Sequence, residues 1–285
     1  MSNMRKIYVV GSGNLAVHCA GYAKDKGMEV FLFEMAEKKS MFVEARAAKF
    51  GIAYFHEKKE NVFQRILEET EECLLISAIN EFIIPAEILE KNNVVAVNLH
   101  QALLPKHPGR NAECWAIYEQ DKVSGITWHY MKKQVDAGDI ILQKEIKLTD
   151  NMTAYQLFQK QIEVAGEAFE EIFDDLINGK IVGKPQIKDK TVKLHKSWEV
   201  PNEGYLDLGW SGEKRSAFLR AMDYSVLNVM EAPKLLYQNK VYRWKKYEIN
   251  RTDSMEEKIM VDEQNIQLQK DGILITLKKY KLEEH

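Results

Sequence analysis

The sequence predicts an α/β protein, a doubly wound and mostly parallel sheet followed by a smaller, β-rich C-terminal domain. Three observations carry this. Short apolar runs alternate with helical patterns through the first 180 or so residues, as βα units do. A glycine-bearing turn, Gly11-Ser12-Gly13, lies between the first apolar run and the first helical pattern. Beyond residue 200 or so the runs KVYRWKKYEI, EKIMV, NIQLQ and GILITLKKY follow one another at strand length with turn residues between them, suggesting a small barrel or meander.

The elements follow in order. KIYVVG (6–11) is a strand, the next residues to Gly27 a helix, and EVFLFE (29–34) a second strand. Glycines at the turn and an acidic residue about twenty positions on make a Rossmann-like unit. Read as a dinucleotide site it would place Glu34 on a ribose, yet any parallel strand feeding a helix needs the same turn. A helical stretch leads to a strand at 52–56 ending in His56, read as a surface histidine, then a helix at 62–71 and a strand at 73–79. Pro85 suits the first turn of the next helix. Val94–Val97 is a near-continuous apolar run, as a central strand covered on both faces requires.

Thr153 and Gln156 form a capping-box pattern. Behind it Leu157, Phe158, Ile162, Ala165, Phe169, Ile172, Phe173 and Leu176 repeat at helical spacing, an apolar stripe for the core. Gly179 suits the C-terminal cap. The expected division is therefore residues 1–179 as the catalytic domain, 180–200 as a basic linker and 201–285 as the small β-rich domain.

With 40 Lys and Arg against 43 Asp and Glu, the net charge of −3 supplies no basic field for nucleic acid. The tail from 181 holds 19 Lys and Arg against 16 Asp and Glu, too mild an excess to change that. No window reaches the roughly twenty apolar residues of a membrane span. The N-terminus enters a strand without a cleavage pattern, so no signal peptide is expected. Cys19, Cys73 and Cys114 are odd in number and lack ligand spacing, which points to reduced thiols in the cytoplasm and to no metal.

The chemistry gathers between Val94 and Gln143. An apolar run ends in Asn98-Leu99-His100, and alternation puts Asn98 and His100 on one side of the strand end. Strand ends of this kind are where open α/β sheets bind ligands. A second strand, Ser124–Tyr130, leads to Asp136-Ala137-Gly138, with Asp136 a candidate orienting carboxylate. An amide, an imidazole and a carboxylate suit acyl-type transfer.

Asn98-x-His100, Leu103-Leu104-Pro105, Gly109-Arg110, Gly125-x-Thr127-x-His129 and Asp136-x-Gly138-x-Ile140-x-x-Gln143 stand in one order within about fifty residues. Together they resemble the core of the 10-formyltetrahydrofolate-dependent formyltransferases, most of all the sugar N-formyltransferases. The resemblance is strong over 94–143, fair over 1–180 and thin beyond Met222. It departs at Ala102, where a serine is common. It implies Asn98, His100 and Asp136 as catalytic residues, with Asp136 raising the pKa of His100. N10-formyltetrahydrofolate would be the co-substrate, against Phe82, Ile83, Ile84, Leu104, Val135, Gly138 and Asp139. Gly13, Asn14, His107, Arg110 and Asn111 would face the acceptor, with Arg110 either on a phosphate or on a carboxylate of the fold. His129 would pack behind the site.

The implied acceptor is a primary amine, foremost that of a dTDP- or UDP-linked amino sugar used for bacterial surface polysaccharide (lipopolysaccharide) in the cytoplasm. Methionyl-tRNA or another amine is the alternative, and an NAD-dependent oxidoreductase using Gly11, Gly13 and Glu34 a further one. No membrane partner is implied, and a homodimer is compatible.

Overall fold

Alternating apolar runs become alternating strands and helices. A computed structural model describes residues 4–187, 192–227 and 229–283. In order these give β1 (Lys6–Gly11), α1 (Gly13–Asp25), β2 (Glu29–Glu34), α2 (Met41–Lys49), β3 (Ala53–His56), α3 (Lys59–Glu68), β4 (Cys73–Ala78), α4 (Ala86–Leu89), β5 (Val94–His100), α5 (Ala112–Tyr118), β6 (Val123–Tyr130), β7 (Ile140–Lys147) and α6 (Ala154–Ile177). The seven strands order as β3-β2-β1-β4-β5-β6-β7. Strands β1 to β5 pair in parallel, and β6 runs antiparallel to β5.

Both faces of the sheet are covered, which is why its strands read as apolar runs. On one face Ile7, Val9, Leu32, Leu74, Ile76, Val97 and Trp128 pack under α1 and α6. On the other Tyr8, Val10, Phe33, Leu75 and Ala96 pack against Val62, Ile66 and Ile88 of α3 and α4. The apolar stripe of α6 is core: Ala165, Phe169, Phe173 and Leu176 are buried, and the Trp128 indole donates to the Ala165 carbonyl at 3.1 Å. The capping box forms in both directions, Gln156 N to Thr153 Oγ1 at 3.3 Å and Thr153 N to Gln156 Oε1 at 3.0 Å. Gly179 ends the helix at φ +63°.

The β1–α1 turn needs glycine for contact rather than for a ligand. A Cβ on Gly11 would lie 1.8 Å from the Ala78 carbonyl oxygen of neighbouring β4. Cys19, Cys73 and Cys114 are buried free thiols. Burial pushes the Cys73 thiol up to about 11 and raises those of Cys19 and Cys114 well above the ordinary thiol value.

The remaining chain gives α7 (Gly212–Ala221), β8 (Lys234–Tyr237), β9 (Lys240–Arg243), β10 (Lys246–Arg251), β11 (Lys258–Val261), β12 (Asn265–Lys270), β13 (Ile273–Lys278) and β14 (Lys281–Leu282). These strands form two small antiparallel sheets, β10-β13-β12-β11 and β14-β9-β8. A meander is present in β11–β13, with β10 paired back onto β13 instead of a barrel closing. Among the described residues no helix is long and apolar enough to cross a membrane.

The chain divides into two compact units, neither contiguous in sequence. One comprises Met1–Gly109, Gly125–Ile146 and Gln159–Leu194, the other Arg110–Ser124, Lys147–Phe158 and His195–His285. The boundary expected at Gly179 falls inside the first unit. In the second, buried Glu113 of α5 accepts a 2.6 Å hydrogen bond from Tyr224, and burial raises its carboxyl above the usual range.

Candidate active site

Sheet register explains why the site residues meet. β5 and β6 pair antiparallel with Asn98 opposite His129 and His100 opposite Thr127, and paired residues share a face. Asn98, His100, Thr127 and His129 therefore stand together at the carboxyl end of β5. The Asn98 amide nitrogen lies 3.2 Å from His129 Nε2. His129 Nδ1 lies 2.8 Å from the Tyr130 carbonyl oxygen, which can only accept, so Nδ1 carries the proton and Nε2 accepts from Asn98. His129 thus turns the carboxamide and leaves its second N–H free of that bond.

Asp136 comes to the same place from the loop between β6 and β7. It adopts φ +52°, a left-handed conformation that Asp and Asn enter more readily than most residues. Its Oδ2 accepts from the Gly109 amide at 2.7 Å and lies 3.5 Å from His100 Nδ1, while Oδ1 lies 3.6 Å from His129 Nε2. Burial opposes its ionisation, but His100, His129 and the Gly109 amide together bring the carboxyl down to about 2. It is a carboxylate at neutral pH.

His100 is 6% exposed, and its Nε2 lies 2.8 Å from the His107 carbonyl oxygen. Asp136 raises the pKa of this ring, as expected, but does not set the net direction. Burial is the larger effect and leaves the imidazole below its ordinary value. His100 is neutral at pH 7, with its proton on Nε2 toward His107 and the Nδ1 lone pair toward Asp136.

The loop after β5 is braced by residues of the sequence motifs. Thr127 Oγ1 donates to the Ala102 carbonyl at 2.6 Å and accepts from Leu104 N at 3.1 Å and Gln143 Nε2 at 2.9 Å, which fills its hydroxyl. Gln143 also donates to the Leu104 carbonyl at 2.9 Å. Gly125 and Gly138 are required for close approach, since a Cβ would lie 2.1 Å from the Lys144 carbonyl oxygen in the first case and 1.6 Å from the Tyr130 carbonyl oxygen in the second. The positive φ of the loop belongs to Asp136, not to Gly138.

The other expected site residues divide. Ile83 and Val135 are exposed at 74% and 39%, Phe82 is half-buried, and Asn80 pins the loop after β4 by bonds to both the Phe82 N–H and carbonyl. That loop leaves the strand beside β5, since Ser77 pairs with Asn98. Ile84 and Leu104 are buried at 3%, and Ile84 belongs to the core. Asp139 pairs with Lys132 at 2.7 Å. Gly13 opens α1 at φ +70°, and Asn14 beside it is exposed. His107 is 8% exposed and presents its carbonyl to His100. Arg110 and Asn111 lie in the second unit, where Arg110 N donates to the His195 carbonyl and Asn111 caps α5 at φ +56°.

Glu34 bears on the dinucleotide alternative. It is 2% exposed, and its Oε2 accepts from the Ser40 amide at 2.9 Å and the Tyr54 hydroxyl at 2.6 Å. The acidic residue that would hold a ribose is committed to the fold.

Sequence reasoning missed two residues. Gln161 of α6 is fully buried and donates both amide hydrogens, to the Gln101 carbonyl at 2.6 Å and the Gly125 carbonyl at 3.0 Å. Gln186, placed in a linker, donates to the carbonyls of Asp136 and Gly138 at 2.7 Å each. Neither carries a local signal, because each acts on residues dozens of positions away.

The lip of a doubly wound sheet thus carries an amide, an imidazole and a carboxylate. The formyl transferase family matches residues 6–172, more than half of the chain, and this protein belongs to that family. A GDP-perosamine N-formyltransferase of Brucella melitensis is 32% identical over 149 residues, 52% of this chain and 56% of the relative. A methionyl-tRNA formyltransferase of Thermodesulfovibrio yellowstonii is 34% identical over 134 residues, 47% of this chain and 43% of the relative. The chain thus spans about half the length of the curated relatives it matches. Among solved structures, a Helicobacter canadensis N-formyltransferase in complex with folinic acid and dTDP-3-aminofucose superposes with a TM-score of 0.75 at 17% identity, over 97% of this chain and 100% of the other. A sugar 3N-formyl transferase, WlaRD, does so with a TM-score of 0.75 at 18% identity, over 97% and 98%. These likenesses establish a shared fold.

Proposed function

We propose that the protein is an N-formyltransferase that moves a formyl group from N10-formyltetrahydrofolate to the primary amine of a nucleotide-linked amino sugar in the cytoplasm. The observation that carries this reading is the convergence of Asn98, His100 and Asp136 at one lip of the sheet. Sugar N-formyltransferases among its relatives and structural neighbours support the acceptor class. A methionyl-tRNA acceptor is the second reading, favoured by the relatives of that name and opposed by the net charge of −3.

The residues present fit a reduced folate. Ile83 and Val135 expose apolar surface on two loops at the carboxyl edge of the sheet, a cost that a planar pterin would relieve. When bound, the donor supplies an electrophilic formyl carbon. The Asn98 N–H not engaged by His129 would stabilise the negative charge that develops on the formyl oxygen. Such a donor is worth roughly 2.7–4 kcal/mol in a site closed to water. The proton the attacking amine loses passes to the His100–Asp136 pair, which holds it between Nδ1 and Oδ2. The resulting imidazolium has both N–H groups matched, Nε2 to the His107 carbonyl and Nδ1 to Asp136. Burial keeps the ring neutral beforehand, and Asp136 stabilises the protonated state once it forms.

Purified protein would be incubated with N10-formyltetrahydrofolate and dTDP-, UDP- or GDP-linked amino sugars or methionyl-tRNA, following tetrahydrofolate release and the mass gain of one formyl group. Formylated nucleotide sugar is expected, with turnover reduced by about 10²–10⁴ in Asn98→Ala and His100→Ala. Near-native turnover in His100→Ala, or formylation of the tRNA alone, refutes the reading.

A further inference from the structure

We infer that Gln186 is a positioning residue that sets the aim of the Asp136 carboxylate from a segment outside the matched family region, an inference that rests on the formyl-transfer reading of the Asp136 loop. The loop is held at its root by Tyr130 N to the Asp139 carbonyl at 2.9 Å and across one turn by Ala137 N to the Gln134 carbonyl at 3.3 Å. The carbonyls of Asp136 and Gly138, on either side of Ala137, point instead at Gln186, whose two amide hydrogens bridge them at 2.7 Å each. Carbonyl oxygens only accept, so the NH2 end of the side chain must face them. The bridge fixes the plane of the peptide that follows Asp136 and hence its ψ, which together with φ +52° decides how the carboxylate is turned toward His100 and the Gly109 amide.

Gln186 can do this because its own segment is anchored. Lys184 exchanges two 2.8 Å backbone hydrogen bonds with Ile140, the first residue of β7, and Tyr130 donates its hydroxyl to the Ile181 carbonyl at 2.9 Å. Gly183 lets the backbone pass, since a Cβ there would lie 2.7 Å from Asp139 Cβ and 2.9 Å from the Tyr130 ring. Residues 181–186 are therefore an extra strand-like brace on the catalytic loop, built from a stretch that composition marks as linker. A misplacement of about 1 Å in a reacting group is enough to cost about a hundredfold in rate.

The test compares Gln186→Leu, which keeps the shape and removes both donors, with Gln186→Glu, which puts an acceptor against two acceptors. Gly183→Ala displaces the anchor independently, and Ile187→Ser at an exposed neighbour serves as control. Steady-state kinetics with the formyl donor and the acceptor identified for the wild type are read beside NMR titration of the His100 imidazole and the thermal midpoint. The expected result is a kcat loss of about 10- to 100-fold in both Gln186 variants and Gly183→Ala, with KM within about threefold. His100 should titrate lower than in the wild type, because the carboxylate that supports its charge has moved, and Ile187→Ser should match the wild type throughout. Absence of transfer by the wild type would defeat the functional reading and leave the His100 titration as the test of this one. A Gln186→Leu protein whose His100 titrates as in the wild type overturns the inference, as does a kcat loss that appears only with loss of cooperative melting.

Discussion

Two carboxylates at opposite edges of the same sheet show what marks a site and what does not. At the amino edge Glu69 sits under β1, accepting from Tyr8 at 2.6 Å, Lys6 at 3.0 Å and the amides of Thr70 and Glu71 at 2.9 Å each. At the carboxyl edge Asp136 meets His100, His129 and the Gly109 amide. Burial works against ionisation of both, and their partners hold both at about 2. The depressed acid is thus common to the two regions. The difference lies in the partners: Lys6 and Tyr8 are both pushed up from values already far above neutrality, whereas Asp136 faces imidazoles, of which burial lowers His100. The first cluster is a lock, and the second is the one proposed to pass a proton.

The largest effect that can break this contrast is Asp136→Ala, expected to reduce turnover by about 10²–10⁴ while the fold persists, as measured in the formyl-transfer assay beside a melting curve. Glu69→Gln should do the reverse, with turnover unchanged and stability lower by about 1–3 kcal/mol in urea unfolding, because charged bonds to Tyr8 and Lys6 are lost. A fall in kcat there would dissolve the distinction.

The pH dependence sharpens it further. Glu69 and Asp136 titrate lower folded than unfolded, so the unfolded chain binds protons more readily. The stability they contribute is complete above the ordinary values of 4.5 and 3.8 and is lost as pH falls toward about 2. Because Glu69→Gln lacks that stability at every pH, its acid unfolding midpoint should lie at or above the wild-type pH, and its stability should vary less steeply with pH below 4.5. His100, lowered by burial, should give kcat/KM an acid limb below pH 6.5, and Asp136→Asn should move that limb lower still. A limb that moves upward would contradict the arrangement. The smallest effect is expected at His56→Ala, an exposed ring with one bond to the Ala36 carbonyl, within about 0.5 kcal/mol of the wild type and with full activity.

Much of the fold was legible because its signals are local. Glycine at Gly11, the 94–97 apolar run and the Thr153–Gln156 cap each act on residues within a turn or a neighbouring strand. The site was legible where motif and strand parity coincide, as for Asn98 and His100. It was illegible where tertiary contact decides. No pattern in 181–187 shows a side chain reaching Asp136, and β8 and β14 are too short to display alternation. The net pKa direction at His100 was illegible for the same reason: the carboxylate partner could be named from sequence, but the depth of burial that outweighs it could not. His129 was placed behind the site, and only the β5–β6 register shows that it turns the Asn98 amide.

The three cysteines turn the native protein into its own reporter. Their sulfurs are buried and their thiolates disfavoured, so an alkylating reagent can reach them only after the surrounding structure opens. Cys19 and Cys73 lie in the first unit and Cys114 in the second. Timed alkylation followed by peptide mass mapping would therefore give an opening clock for each unit separately, with no label to introduce and no residue to change.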